Sequence, residues 1–220
     1  MGKSQDTISR IILNARTLFW ERGYKKVTMQ EIADRSKITK GLLTHYFPKK
    51  KDILKEINLR QFNDIYGLVE NYSDGDPLLQ YIMTTYLMRK AQYSLPETLR
   101  IFQETFISEG SETVYPYTTY SDLYIEILKF LNVNMTIEEL YPRIVMGQGA
   151  QRELAYVYMN DLAEMDFEAY LRNTVMIACL MLEIPAIIRN QYYNMAMKII
   201  ERENLSVVDY IAGKAPISGK

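Results

Sequence analysis

Residues 28–50 read TMQEIADRSKITKGLLTHYFPKK and decide the fold of the first quarter of the chain. Thr28 and Glu31 have the spacing of a capping box. In this motif the side chain of each residue bonds the backbone amide of the other at the first turn of a helix. Thr39 can cap a second helix in the same way, and only residues 36–38 separate the two helices. The stretch therefore predicts a helix-turn-helix, whose second helix is shaped to enter a DNA major groove.

A further helix is predicted before this stretch, from about Gln5 to Arg22, because apolar residues recur there at spacings of three and four. Gly23 follows where a C-terminal cap is expected, since glycine adopts the left-handed conformation at little steric cost. We therefore expect three helices around one apolar core. The predicted core residues are Ile12, Phe19, Ile32, Ala33, Leu43 and Phe47.

More than a dozen residues at fixed spacing extend this pattern over residues 8–57. They read Ala15-x3-Phe19-x3-Gly23-Tyr24-x3-Thr28-x3-Ile32-Ala33 and Ile38-x2-Gly41-x-Leu43-x2-Tyr46-Phe47-x2-Lys50-x3-Leu54. In these residues the chain resembles the TetR/AcrR family of bacterial transcriptional regulators. The resemblance implies a homodimer that binds double-stranded palindromic operator DNA and is released from it by a small molecule. The chain departs from the pattern at Thr44, where many members carry a tyrosine.

The second helix has an outer face that could contact base edges, because Leu43 and Phe47 must face the core. The predicted base-reading residues on this face are Thr39, Lys40, Gly41, Thr44 and His45. The resemblance implies phosphate contacts from three further residues, Thr28, Tyr46 and Lys50, whose hydroxyls and charge suit that role. The alternatives are that Lys49–Lys51 are simply solvated charges and that Tyr46 is a half-buried packing residue.

The charge of the chain is divided unequally along its length. Residues 1–60 hold 14 Lys/Arg against 6 Asp/Glu, whereas residues 61–220 hold 12 against 21. Because charge acts within a Debye length of ~10 Å, the basic first quarter matters more for DNA than the overall charge of −1. The alternative is a domain whose basic charge serves solubility alone.

The fold class predicted for the whole chain is all-α. A helix-turn-helix domain (1–50) is followed by a connecting helix (about 50–71), a helical ligand-binding and dimerisation domain (72–213) and a flexible tail (214–220). The connecting helix has no Gly or Pro before Gly67, so no flexible linker is expected. Later helices are predicted at about 77–93, 96–109, 116–132, 136–160, 166–184, 186–203 and 206–212.

The second domain is rich in aromatic residues, since residues 61–132 contain nine of the 18 tyrosines. Such side chains can enclose an aromatic or lipophilic ligand between helices, and Glu104 would favour a cationic one. The predicted pocket residues are Tyr66, Tyr86, Phe102, Phe106, Tyr120 and Tyr124. The alternative is that they are ordinary core and surface aromatics.

The helices at 166–184 and 186–203 carry broad apolar stripes, which predict a four-helix dimer interface. The predicted interface residues are Leu171, Val175, Ala178, Leu182, Ile188 and Met195. The alternative is that these stripes are buried inside one subunit.

Other classes of protein are disfavoured by what the sequence lacks. His45 is the only histidine, which excludes multi-histidine metal sites, and no Gly-rich phosphate loop is present, so neither a metal nor a cofactor is expected. A single cysteine, no secretion signal and no apolar run near ~20 residues predict a soluble cytoplasmic protein. We expect no enzyme activity. An enzyme with a vestigial DNA-binding module and a sequence-independent architectural DNA binder are the remaining alternatives.

Overall fold

The computed structural model describes residues 3–110 and 117–214, and the side chains of these residues except 3 and 117–120. Within those ranges the chain forms eleven helices and no β-strand, which confirms the all-α prediction. The helices are α1 (Lys3–Arg22), α2 (Met29–Arg35), α3 (Lys40–Tyr46), α4 (Lys50–Glu70), α5 (Pro77–Ser94), α6 (Pro96–Phe102), α7 (Tyr117–Phe130), α8 (Ile137–Met159), α9 (Phe167–Met181), α10 (Ala186–Arg202) and α11 (Val208–Ile211). A π-helical turn, Gln103–Ile107, continues α6.

Helices α1 to α3 form a small bundle around the core that the sequence predicts. All six predicted core side chains are buried, and the most exposed of them, Phe47, keeps only 8% of its surface accessible. Tyr24 and Val27, from the connection between α1 and α2, are buried in the same cluster. The three helices therefore share one apolar core, which fixes the direction of α3.

Helix α4 belongs to two cores at once. Its first half places Ile53, Leu54 and Ile57 in the core of the N-terminal bundle. Its second half places Phe62 and Ile65 in the larger C-terminal core. Because one uninterrupted helix is packed at both ends, a movement of the C-terminal domain against α4 can be transmitted to the bundle.

Helix α5 lies at the centre of the C-terminal domain. Thirteen of its residues are buried, among them Gln80 and Arg89, and it packs against α4, α6, α7, α9, α10 and α11. Helix α8 lies further out and packs mainly against α9. In the parts of the chain that the structure describes, no helix is both long and apolar enough to cross a membrane.

The chain returns to the N-terminal bundle through residues 208–214, which we call the C-terminal latch. Arg16 of α1 donates hydrogen bonds to the carbonyl oxygens of Tyr210 and Ile211. The hydroxyl of Tyr210 donates to the carboxylate of Asp64 on α4. The latch thus joins α1 and α4. Of the tail predicted at 214–220, only Lys214 is described, and its amide donates to the carbonyl of Asp209 (2.8 Å); residues 215–220 lie outside the described residues.

Candidate nucleic-acid interface

The start of α2 is held by the predicted capping box. The amide of Glu31 donates to Thr28 Oγ1 (3.3 Å), while the amide and hydroxyl of Thr28 both donate to Glu31 Oε2 (2.8 Å each). These bonds from Thr28, together with one from Arg22, lower the pKa of the Glu31 carboxyl to about 2. The first turn of α2 is therefore closed at neutral pH, and its N-terminal amides are fixed in direction.

The turn between α2 and α3 is as tight as its sequence predicts. Lys37 adopts φ +54°, the left-handed conformation that ends α2, and its amide donates to the carbonyl of Asp34 (3.1 Å). Ser36 is fully buried, and Asn14 of α1 donates to its hydroxyl (3.4 Å). Thr39 then caps α3 by accepting from the amide of Leu42 (3.2 Å). This local geometry sets α3 across α2.

The outer face of α3 consists of exposed side chains. The five predicted base-reading residues are all exposed, as the burial of Leu43 requires. The hydroxyl of Thr44 donates to the carbonyl of Lys40 (2.8 Å), which leaves its oxygen lone pairs toward solvent. Sequence reasoning missed Leu42, which keeps 39% of its surface accessible on the same helix. An exposed leucine there offers an apolar contact of the kind that a thymine methyl makes.

The three predicted phosphate-binding residues differ in how free their polar groups are. Thr28 uses its hydroxyl in the capping box, and Tyr46 is half-buried with its ring against that of His45. Lys50 is turned inward: its ammonium donates to the carbonyls of Tyr24 (2.7 Å) and Val27 (2.8 Å). Burial lowers the pKa of Lys50. Lys50 therefore also holds the connection between α1 and α2 in place.

The π-helical turn after α6 contacts the same connection from the other side. Arg100 donates to the carbonyl of Trp20 (2.7 Å), and the Glu104 carboxylate accepts from the amide of Lys25 (2.9 Å). A Cβ atom on Gly23 would lie only 2.8 Å from Glu104 Oε1. Glu104, which the sequence suggested as a partner for a cationic ligand, is thus bound to the N-terminal bundle.

The predicted pocket residues mostly lie in packed surroundings. Tyr86, Phe106 and Tyr124 are buried in the C-terminal core, while Tyr66 is half-buried and its hydroxyl has no hydrogen-bond partner among the described residues. The side chain of Tyr120 lies outside the described residues. Of the five predicted pocket residues whose side chains are described, only Phe102 lines the cavity described next.

A cavity of about 570 Å³ lies where the two domains meet. It is enclosed by α1, α4, α6 and the C-terminal latch, and the exposed side chains of Leu13 and Lys214 mark its mouth. Sequence reasoning missed this site because residues 208–214 carry no local signal of what they pack against. The ring of Tyr210 lies under the guanidinium of Arg16, at 5.1 Å, and closes one end.

The predicted interface residues divide into two groups. Four of them, Leu171, Val175, Ala178 and Leu182, are buried inside the subunit, with at most 2% of their surface exposed. Ile188 is half-buried and Met195 is 40% exposed on α10.

A different apolar surface is open on α8 and α9. Tyr141, Val145 and Met146 of α8 and Leu180 of α9 are exposed by 37–55%. Met146 and Leu180 line one shallow groove. The helices approach closely here, since a Cβ on Gly147 would lie 3.2 Å from Met181 Cγ. We call these four exposed side chains the α8–α9 patch.

Fold and site together define an all-α helix-turn-helix protein with a second helical domain. Residues 11–57 match the family described as bacterial regulatory proteins, tetR family. The match to the TetR family lies in the N-terminal domain of the chain.

Several known proteins are similar to the chain over part of its length. The TetC protein of transposon Tn10 from Escherichia coli is 31% identical over 86 residues, which cover 38% of this chain and 44% of that protein. The transcriptional repressor KstR2 from Rhodococcus jostii (strain RHA1) is 35% identical over 75 residues, 32% of this chain and 37% of that one. The chain thus matches less than half the length of either relative.

The crystal structure of a TetR transcriptional regulator from Rhodococcus sp. RHA1 is similar in fold. It superposes with a TM-score of 0.51 at 15% identity, covering 84% of this chain and all of that one. At this identity the likeness concerns the fold alone.

Among the described residues, no cluster of three or more His, Cys, Asp or Glu side chains could hold a metal ion.

Proposed function

We propose that the protein is a dimeric transcriptional regulator that binds palindromic operator DNA through α3 and leaves it when a small molecule binds. The observation that carries the proposal is the exposed face of α3 at the end of a tight turn, on a domain with a net charge of +8 over residues 1–60. Polar groups on such a face can reach base edges, while the surrounding positive charge draws the phosphate backbone.

The exposure of the side chains on α3 supports a division of roles on this surface. Thr39, Lys40, Gly41, Thr44 and His45 read bases, joined by Leu42. Thr28, Tyr46 and Lys50 serve the phosphates, supported by the positive end of the α2 dipole. In this arrangement the ammonium of Lys50 has two tasks, since it also bonds two backbone carbonyls.

Dimerisation is proposed because one helix-turn-helix reads few base pairs. Two copies related by a twofold axis can read half-sites about 34 Å apart. The α8–α9 patch supports this, because contiguous exposed apolar side chains mark surfaces that bind another protein. A second copy of the chain is the occupant that a palindrome requires. The half-exposed residues of α10, Ile188 and Met195, are the second candidate surface.

Release by a ligand is proposed from the continuity of α4 between the two cores. A ligand that binds one arrangement of the C-terminal domain more tightly shifts the protein toward that arrangement. The shift would tilt α4 and change the separation of the two recognition helices. A liganded crystal structure with unchanged spacing, together with unchanged operator affinity, would remove this mechanism.

Enzyme activity finds little support in the reactive side chains of the chain. Cys179, the only cysteine, is buried, and burial raises the pKa of its thiol to about 12, so it is not a thiolate at neutral pH. His45, the only histidine, lies on the outer face of α3. The more serious competitor is an architectural DNA binder, which shares the basic charge but needs no base-reading face.

Selection of DNA from a random duplex pool by the purified protein tests the proposal. A regulator should enrich one motif with twofold symmetry, and the genes beside genomic copies of that motif would identify what it controls. Enrichment of bent or AT-rich DNA without a motif would favour the architectural alternative instead.

A further inference from the structure

We propose that the cavity between the two domains is a binding site for a mostly apolar organic carboxylate, and that this ligand is the effector of the regulator. The second half of this inference rests on the proposed function; the first half does not. The site differs from the aromatic interior of the C-terminal domain in its position, since part of its wall is α1 of the N-terminal bundle.

The walls of the cavity suit an apolar body. Phe19, Leu54, Ile57 and Phe102 are buried core residues that each turn part of their surface toward it. Trp20 adds an indole ring from α1. A volume of about 570 Å³ is within the range of sites that enclose small organic ligands.

Two polar atoms at the cavity indicate what the ligand must carry. Arg16 Nε and Asn58 Nδ2 are both buried and have no hydrogen-bond partner among the described residues. Both atoms belong to residues that line the cavity, and both can only donate. Leaving a buried donor unsatisfied is costly, so a ligand that presents acceptor oxygens here gains affinity.

The charges around the cavity favour an anion over a neutral acceptor. Among the described residues that line it, Arg16 and Lys214 are cationic and none is acidic. Asp64, the carboxylate near Arg16, accepts a hydrogen bond from Tyr210. Burial of the Arg16 guanidinium lowers its pKa, while Tyr210 and Asp64 act in the opposite direction and compensate part of its charge. A ligand carboxylate would compensate that charge.

The position of the cavity couples its occupant to the DNA-binding domain. Leu13 and Trp20 come from α1, whereas Ile101 and Thr105 come from α6 and its π-helical turn. A molecule between them contacts both domains and biases their relative orientation. If the cavity has a different shape when the protein is bound to DNA, the ligand binds the two arrangements with different affinity and favours one of them.

The single tryptophan of the chain provides the readout, because Trp20 lines the cavity. The probes are octanoate, 1-octanol and octylamine, which share one apolar chain and differ in the head group. We expect a saturable change of Trp20 fluorescence with octanoate, at a Kd at least about tenfold below those of 1-octanol and octylamine. Equal affinities, or tighter binding of the amine, would overturn the proposal.

Two arginine variants separate the site from general effects of charge. Arg16→Gln should remove the preference for octanoate over 1-octanol. Arg172→Gln is the matched control, because Arg172 also lies over a tyrosine ring (Tyr193, 5.0 Å) and donates one hydrogen bond to a neighbouring helix. It should keep the preference. Equal behaviour of the two variants would overturn the assignment.

A third variant is needed because Arg16→Gln could also disrupt the C-terminal latch. Asn58→Leu leaves the Arg16 contacts intact and should weaken octanoate severalfold more than 1-octanol. If circular dichroism shows that Arg16→Gln is unfolded, this variant decides the question. A folded Asn58→Leu protein with unchanged octanoate affinity would count against the site.

The proposed effector role of the ligand is tested separately, by measuring the affinity of the protein for the selected DNA site. Octanoate should lower the affinity of the wild-type protein for that site and leave the affinity of Arg16→Gln unchanged. Octanoate binding without any change in DNA affinity would overturn the effector role. Failure of the proposed function looks different, since the ligand-free protein would then show no preference between selected and random DNA.

Discussion

At the scale of single residues, two threonines of one short helix have different tasks. Thr39 Oγ1 accepts from the amide of Leu42 and caps α3, whereas the Thr44 hydroxyl bonds only the carbonyl one turn earlier. A cap is worth about 1 kcal/mol, while such a back-bond is close to neutral. Thr39 should therefore contribute to both stability and DNA recognition, whereas Thr44 should contribute to recognition with little effect on stability.

Thr39→Ala is expected to lower the free energy of unfolding by about 1 kcal/mol. Thr44→Ala should change it by less than about 0.5 kcal/mol and still weaken binding to the selected DNA site. Urea denaturation and fluorescence anisotropy with labelled duplex measure the two effects. A Thr44→Ala protein with wild-type affinity for the site would remove Thr44 from the base-reading face.

Lys50 shows a role that could not be predicted from its neighbours in sequence. A lysine run beside a helix-turn-helix indicates phosphate contacts, but the structure also bonds this ammonium to the carbonyls of Tyr24 and Val27. The bonds depend on how the first connection folds back over α4, which no local pattern encodes. The two roles have different experimental signatures.

Lys50→Ala should lower the free energy of unfolding by about 1–3 kcal/mol, because it leaves carbonyls unpaired. It should also weaken specific and random DNA alike and make the salt dependence of binding shallower by about one. Lys90→Ala, on the exposed surface of the C-terminal domain, is the control and should change neither. An unaltered salt slope would leave Lys50 with the structural role alone.

At the scale of elements, the π-helical turn of Gln103–Ile107 fixes the two domains against each other. It places Glu104 beside Gly23 and Lys25, so the end of α1 is bonded to the C-terminal domain. Gly23 has φ +86°, and a Cβ there would require the Glu104 carboxylate to move, whereas Gly75 has φ +76° with open space around it. Both positions favour glycine for conformation, and only at the first would a side chain also displace a neighbouring group.

Gly23→Ala is expected to destabilise the protein by more than the ~1–2 kcal/mol that a left-handed conformation costs a residue with a side chain. Gly75→Ala carries the conformational cost alone and is the matched control. Thermal or urea denaturation of both variants measures the difference. Equal losses would mean that the contact between Glu104 and the α1–α2 connection contributes little to stability.

The elements themselves were largely predictable, and their long-range contacts were not. Caps such as Thr28, Thr39 and Asp166 are local signals, so helix starts agree with the sequence to within a few residues. The π-helical turn and the C-terminal latch depend on packing partners far along the chain. Arg16 illustrates this. It lies outside the apolar positions of α1, so the sequence predicts a solvated side chain, and only the fold brings Tyr210 to it.

At the scale of the whole molecule, the apolar surface decides how two copies can meet. The apolar stripe of α9 that the sequence indicates is largely buried inside the subunit, and residues such as Val175 are fully buried. Periodicity shows that a helix has an apolar face, but it does not say which neighbour covers that face. The α8–α9 patch and the half-exposed residues of α10 remain as candidate surfaces.

A double variant, Val145→Glu with Met146→Glu, is expected to convert the proposed dimer to a monomer, which light scattering measures. It should also lower operator affinity at least about tenfold, since each half-site then binds alone. Phe130→Glu is the control, because Phe130 is similarly exposed (48%) at the end of α7. Met195→Glu tests the alternative surface on α10: dissociation by that variant alone would move the interface there.

The ratio of two dissociation constants tests the central claim most directly. The protein is titrated into its selected palindrome and into a random duplex of equal length at one salt concentration. A sequence-reading regulator should bind the palindrome about 10³-fold or more tightly. A ratio near one would contradict the account and leave a basic domain that binds DNA without reading it.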